Sequence, residues 1–542
     1  MDLRLAPALA LLTVAATLLV ASTADAQVGS AAAERIADRD PNVVATEGDR
    51  GPLEATVTRD GPSWRVSYFD DDDEVVRVIV DADSGAVRES WTGYQVAWQM
   101  ARGNEGQFGH VLNAPYVWLP LCAIFLLGLL DWRRPLRIVH LDLVVLLAFG
   151  VSHVFFNRGE IGLSAPLAYP PLLYLLARML WVGFRGGRPL RPTIPALWLA
   201  VAAVFLIAFR ITLNVADSGV IDVGYAGVIG ADRVTSGEPI YGAFPDDNPS
   251  GDTYGPAAYY AYIPFELALP WSGEWDELPA AHAAAIAFDL ATVAGLVFCG
   301  LRLRPGRAGR DLGFVLAFAW LAFPYTAFAL QSNSNDSLLA ALVVWSLVLF
   351  GRPLARGALL ALAAATKFAP LVLVPLYAAG RRGLGRRSAR PLLGFAAAFA
   401  LVAALMLAQP AIDPGLGVFW ERTIANQADR SSPFSVWGQE ASLEPVRIAI
   451  VVAVAALALA LAFVPRERSP AQVAALAAAA LIGAQLVVEH WFYLYLPWFL
   501  GPLLVALVAG VGGRRARETG KGWLRAQRLE RTTNAPTEPD AG

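Results

Sequence analysis

TIPALWLAVAAVFLIAFRITLNVADSGVIDVGYAGVIGADRVTSGEPIY, residues 193–241, carries an apolar span directly into a run of acids. The first part, 193–213, is long enough to cross the hydrocarbon core of a bilayer. Asp217, Asp222, Asp232 and Glu238 come after it. The loop continues through GAFPDDNPSGDTYGP (242–256) with Asp246, Asp247 and Asp252. Carboxylates beside a bilayer are costly unless solvated or employed, so this loop is the first place to look for chemistry. The last three acids, spaced by Pro and Gly, read as a solvated turn.

The rest of the 542 residues fits a scaffold dissolved in lipid. Hydrophobic residues make up 56% and charged residues only 16%, against about a quarter charged in soluble domains. The net charge of -3 is unevenly spread, with acids before residue 110 and in the loop, and arginines in short connections. Cys122 and Cys299 both sit in apolar spans, which excludes a disulfide framework and a thiolate metal site. The opening MDLRLAPALALLTVAATLLVASTADAQ has the layout of a secretory signal, residues 1–26, with Ala24-Asp25-Ala26 as its cleavage site. An uncleaved signal anchor is the other reading, and either one exports the polar segment behind it.

Residues 27–110 are polar. AAAERIADRD predicts a short helix, SWRVSYF, EVVRVIVD and GAVRESW predict strands, and TGYQVAWQMARG predicts a helix. Asp81-Ala82-Asp83-Ser84-Gly85 is turn chemistry, with acids capping and glycine at the positive-φ position. The run Asp70–Glu74 reads as a solvated hairpin tip rather than a calcium loop, since it lacks alternating ligands and an internal glycine. The order W-x-V-x-Y (64–68) then V-x-V-x-x-x-x-G-x-V (78–87) resembles the PepSY domain family, over roughly residues 30–103. That resemblance implies a small exported α+β domain with a binding or modulatory role and no catalytic residue.

Apolar spans recur near 116–131, 138–156, 164–184, 193–213, 280–301, 312–330 and 336–351, and later at 391–409, 445–464, 471–489 and 493–512. Starting outside, the connections RRPLR (133–137), RGGRPLR (185–191), RLRPGRAGR (302–310) and RPLAR (352–356) all fall inside, in line with the positive-inside rule. One segment breaks the alternation. If GALLALAAATKFAPLVLVPLYAAG (357–380) crossed once, the basic run RRGLGRRSAR (381–390) would lie outside. A re-entrant hairpin turning at Lys367-Phe368-Ala369-Pro370 restores the rule; the other reading is a normal crossing with a snorkelling lysine. The expected fold is a polytopic α-helical membrane protein of about eleven crossings plus this hairpin. Accessory helices occupy 111–192, the core 193–514, and a partly disordered cytoplasmic tail 515–542.

On this map three polar groups share the outer face. They are the loop 214–254, QSNSNDS with Gln331, Asn333, Asn335 and Asp336, and the 410–444 loop, which contains FWERTIANQADRSSPFSVWGQE (419–440). GAQLVVEHWFYLYLPWF (483–499) joins the third. Lys367 and His490 are intramembrane or interfacial and so functional candidates. Trp420, Phe434, Trp437 and Trp491 suit sugar rings and an interfacial belt equally. A nucleotide-binding glycine loop is not found on the cytoplasmic side, which argues against direct use of a nucleotide sugar, and no nucleic-acid partner is expected.

The succession D-V-G-Y-x-G-V-I-G-A-D-x-V-x-x-G-E-P-I-Y-G (222–242), Y-G-P-A-A-Y-Y (254–260), N-D-S-L-L-A-A-L (335–342) and R-G-A-L-L-A-L-A-A-A-T-K-F-A-P-L-V-L-V-P-L (356–376) resembles the GT-C glycosyltransferases, over roughly residues 195–510. It is most similar to the bacterial branch that uses polyprenyl-phosphate-mannose. The resemblance implies an inverting transferase in the cell membrane, its active site extracytoplasmic. It would take a polyprenyl-phosphate sugar donor, with mannose as the sugar, and an envelope glycolipid, polysaccharide or protein acceptor. It makes Asp222 the general base, with Asp217 as its competitor, and leaves room for a divalent cation although no metal ligands are assigned. Lys367 matches the K-x-x-P motif as a donor-phosphate partner; Arg422, Arg430 and His490 share that role by position alone. Tyr241, Tyr254, Asn335, Asp336 and Trp437 are the candidates for acceptor and sugar binding. The chain departs from the family in its exported domain, in its three preceding spans, and in having Asp217 and Asp222 five positions apart. A transporter or a sensor regulated by the exported domain is the alternative; Asp289, within 280–301, is the mid-span charge that suits it.

Overall fold

The computed structural model of the chain describes residues 28–103, 110–385, 389–429 and 432–510. The expected signal peptide, the tail from 515 and Arg430 lie outside them. Two units emerge: the residues up to Gly103 together with Asn157–Ile161, and the remainder.

The first unit holds a four-stranded antiparallel meander of β1 (Glu54–Asp60), β2 (Ser63–Asp70), β3 (Asp73–Asp81) and β4 (Val87–Thr92). The register aligns Val57, Val66 and Val78 across three strands. Their alternation turns Val66, Tyr68, Val76, Val78 and Val80 to one face, where Ala33, Ala37 and Val43 of two helices cover them. Those helices are Ser30–Ala37 and Pro41–Arg50; the second opens on Asp40, whose side chain accepts from the Asn42 amide, with Pro41 in the first turn. Asp70–Asp73 is the β2–β3 tip, exposed from Asp71 to Asp73, with Asp71 at φ 53°. Asp81 closes the next turn by accepting from the Ser84 amide and hydroxyl, both at 2.7 Å, and from the Asp83 amide at 3.1 Å. These bonds, the Ser84 amide foremost, hold its carboxyl below the usual range, and Gly85 takes the left-handed position at φ 71°.

The second unit is helical. Among the described residues, six helices can cross a membrane by length and composition: Ile138–Asn157, Ile161–Arg185, Ala196–Asp217, Pro279–Leu303, Ala389–Ile412 and Ala441–Ala460. The pair Gly306–Ala322 and Pro324–Gln331, bent by 61°, gives a seventh if counted as one span. Shorter apolar helices include Asp336–Val348, Pro353–Thr366, Pro470–Gln485 and Tyr493–Ala509. This is the composition of a polytopic membrane protein.

The bend at Pro324 leaves carbonyls of the preceding turn without helical partners. Arg210, 1% exposed, reaches from the Ala196–Asp217 helix and donates to Leu321 O at 3.1 Å and Thr326 O at 3.0 Å. The Thr326 hydroxyl donates to Trp320 O at 2.5 Å. The same guanidinium meets Asp289 at 2.8 Å, which also accepts from the Trp320 indole at 2.8 Å. One buried ion pair thus joins three segments, and the mid-span acid is spoken for.

Residues 357–380 do not form one helix. The Pro353–Thr366 helix ends at Lys367, which is extended at φ -142° and ψ 142°. A 3-10 turn (Ala369–Leu373) and a short helix (Val374–Ala379) come next. A Cβ at Gly380 would stand 3.2 Å from the Arg356 guanidinium. A continuous helix would separate those two residues by about 36 Å, so the chain doubles back. The basic connection then lies against 461–468, through Leu384 N–H to Ala462 O at 2.8 Å and Arg468 N–H to Arg381 O at 2.9 Å.

Candidate active site

The loop after the Ala196–Asp217 helix is folded onto the SNSND turn. Asn333 adopts φ 52° and acts as a staple. Its side chain accepts from Asn214 at 2.7 Å and donates to Ser218 Oγ and Gly219 O, each at 2.9 Å. Ile221 N–H bonds Ser332 O at 3.2 Å. The Asp222–Ser236 helix starts there, and a Cβ at Gly224 would overlap Asn333 O. Gly227 and Gly230 open the same face to the rings of Tyr262 and Tyr259. Glycine at every third position therefore lets this helix lie against its neighbours without intervening side chains. Its end is a left-handed Gly237 at φ 75°, with Glu238 N–H returning to Arg233 O at 2.7 Å.

Asp222 occupies the first helical position and is exposed; an acid there faces the positive end of the helix dipole. Its carbonyl accepts from Asn248 at 3.0 Å, tying it to the far side of the loop. Asp217 does something different. Its carboxylate accepts the Val111 amide at 2.7 Å, in the first turn of the short helix His110–Asn113. Asp232, half-buried further along the Asp222 helix, has its carboxyl raised by burial and then by Glu238.

The deepest polar cluster is centred on Asp336, which is fully buried. Its Oδ1 accepts from Lys367 Nζ at 2.6 Å and from the Trp498 indole at 2.8 Å, while Oδ2 accepts from the Ser334 hydroxyl at 2.7 Å. The Lys367 side chain is 10% exposed. Its ammonium lies 5.5 Å from the ring centre of Tyr254, 5.6 Å from Tyr495 and 5.2 Å from Trp498, within cation–π range. Tyr495 and Trp498 stack at 4.2 Å and 25°. Lys367 can face this cluster because Pro370 ends the helix beneath it, turning the side chain out of the helical row. Asn335, 1% exposed, has neither amide atom bonded among the described residues.

Tyr254 reaches Lys367 through Gly255, where the two backbones touch. Gly255 N–H bonds Thr366 O at 3.3 Å, and a Cβ at this position would overlap the Ala365 carbonyl. Replacing Gly255 by Ala is expected to cost about 1–3 kcal/mol, read as a lowered melting temperature of the full chain in detergent. Tyr241, its phenol raised well above the usual range by burial, supports the same strand of loop by donating to Tyr254 O at 3.0 Å.

Asp252 corrects the expectation of a solvated turn: it is fully buried. It accepts from Gly242 N–H at 2.7 Å and from Arg422 through Nε at 2.7 Å and the terminal nitrogen at 2.6 Å. Arg422 also donates to Pro249 O at 2.5 Å. Hydrogen bonding to Asp252 raises the guanidinium further. The fork sits in a π-helical turn, Glu421–Ala425, and is engaged in clamping the loop. Arg422→Lys keeps the charge but loses the fork, so it is expected to destabilise the chain by about 1–2 kcal/mol, measured as thermal unfolding, while donor KM stays near wild type. A large rise in KM with unchanged stability would instead make Arg422 a donor ligand.

The remaining candidates stand apart from Lys367 in their bonding. His490 Nδ1 is 2.9 Å from Ser432 Oγ, and its ring meets Phe434 at 5.5 Å. The Trp437 indole donates to Leu486 O at 2.9 Å. Lys367, Asp336 and Tyr254 are thus brought together. Trp498, Tyr495 and Ser334 complete their cluster and were not singled out in the sequence, although Y-L-Y-L-P-W lies within a segment assigned to the outer face. Among the described residues no group of three or more His, Cys, Asp or Glu could hold a metal ion.

Residues 253–489 match the model of glycosyltransferase family 87. The matched stretch contains Asp336, Lys367 and Arg422. The match indicates a glycosyltransferase, and with it a sugar donor and an acceptor. No curated protein matches the chain significantly.

Proposed function

We propose that the protein is an inverting transferase of the cell membrane that moves mannose from polyprenyl-phosphate-mannose to an extracytoplasmic acceptor of the envelope. The observation that carries this reading is Lys367: a nearly buried ammonium at a helix break, held by one carboxylate. Two of its three N–H donors have no acceptor among the described residues. Such a group suits an anion carried by a lipid, and it lies within the stretch that matches the transferase family. The mid-span acid that would suit a transporter is consumed by Arg210.

In the proposed reaction an acceptor hydroxyl gives its proton to a carboxylate oxygen of Asp222 while its oxygen bonds to C1 of the sugar. The C1–O bond to the phosphate breaks on the opposite face. The electron pair leaves with the lipid phosphate, whose added charge Lys367 meets by hydrogen bonding. The doubled-back segment would enter and leave on the cytoplasmic side, carrying Lys367 to its tip. The exported sheet domain is read as PepSY-like and modulatory. A donor comparison tests the proposal: labelled mannose should enter an envelope acceptor fraction from polyprenyl-phosphate-mannose, and not from a nucleotide-linked mannose supplied without lipid donor. Incorporation from the nucleotide sugar alone would contradict it.

A further inference from the structure

A fully buried carboxylate is expensive unless both of its oxygens accept hydrogen bonds. Asp336 meets that condition with three donors from three segments: Lys367 at the hairpin corner, Trp498 in the Leu496–Ala509 helix, and Ser334 in its own turn. The sequence offered Asp336 as a sugar ligand. Its oxygens are instead occupied, and their effect is to fix the place of one ammonium.

We propose that Asp336 is a positioning residue, locking Lys367 in advance in the orientation that receives the donor phosphate. The inference rests on the reading of Lys367 as the phosphate's partner. A free lysine has a long flexible stem and loses much rotamer freedom when it is ordered by a ligand. Here the stem is already ordered, so less of the binding free energy is lost to that step. The three rings around the ammonium restrict it further. The Asp336 charge opposes an incoming phosphate, but by less than the ammonium attracts it. Ammonium donors are tetrahedral, so an oxygen at about 3 Å from Nζ stands roughly one and a half times as far from the Asp336 oxygen, and attraction exceeds repulsion by about half.

The test is equilibrium binding of labelled polyprenyl phosphate to the full chain in lipid nanodiscs, for wild type, Asp336→Asn, Lys367→Met and the double variant. Asp336→Asn keeps a hydrogen-bonding side chain and removes the charge that holds the ammonium. We expect about a 10- to 100-fold loss of affinity in each single variant, and no further loss on adding Asp336→Asn to Lys367→Met. A loss of equal size in both backgrounds would mean that Asp336 serves the fold alone, and overturns the proposal. So does wild-type affinity in Asp336→Asn. If Asp336→Asn does not fold, Asp336→Glu replaces it: the charge remains, the anchor shifts by one methylene, and the same Lys367-dependent loss is expected, with wild-type affinity counting against. Failure of the wild type to bind the lipid at all would remove the functional reading itself, a result distinct from those in which wild type binds.

Discussion

Asp222→Asn should abolish sugar transfer while leaving the chain folded. A positioned general base contributes about 10²- to 10⁴-fold, and asparagine cannot take the acceptor's proton. The side chain is exposed at the first position of its helix, where weakening the dipole interaction costs about 0.3–1 kcal/mol, too little to unfold the chain. Asp217→Asn is the paired control. Its oxygen receives the Val111 amide, a bond that asparagine can also accept, and transfer should remain within about twofold of wild type. Rates of labelled mannose transfer, with thermal unfolding of the same preparations, separate the two. Full activity in Asp222→Asn beside a dead Asp217→Asn would reverse the assignment.

Arg210→Met should produce the largest loss of stability. It leaves Asp289 buried with the Trp320 indole as its remaining bonded partner among the described residues, and takes donors from the carbonyls of Leu321 and Thr326 at the Pro324 bend. Removing one partner of a buried pair costs about 3–5 kcal/mol, whereas removing both charges is often close to neutral. The double variant Arg210→Met/Asp289→Leu should therefore melt above Arg210→Met alone, measured in one detergent. Equal melting of the single variant and wild type would show that the pair carries no stability.

The elements that were legible in the sequence are those whose causes are local. The Asp81–Gly85 turn arises from residue types within five positions, and the break at Lys367 from a proline three residues on combined with the arginines beyond it. The Pro41–Arg50 helix is equally local, signalled by Asp40 and Pro41, and so is β1 by its alternation, although neither is among the expected elements. Other features depend on residues far apart in the chain. Asp252 looked solvated among Pro and Gly because Arg422, its partner, lies 170 positions away. Asp336 looked like a ligand because Trp498, which helps to occupy it, lies 162 positions away. An acid in a sequence advertises its charge; burial and prior engagement are decided by which helices meet.

The proposal of a lipid-phosphate sugar donor is tested most directly by acceptor-dependent release of polyprenyl phosphate. Purified full chain in nanodiscs, given labelled polyprenyl-phosphate-mannose and an envelope acceptor fraction, should release one polyprenyl phosphate for each mannose transferred. Release should stop when the acceptor is withheld. The absence of turnover with this and every other polyprenyl-phosphate sugar would contradict the proposed function.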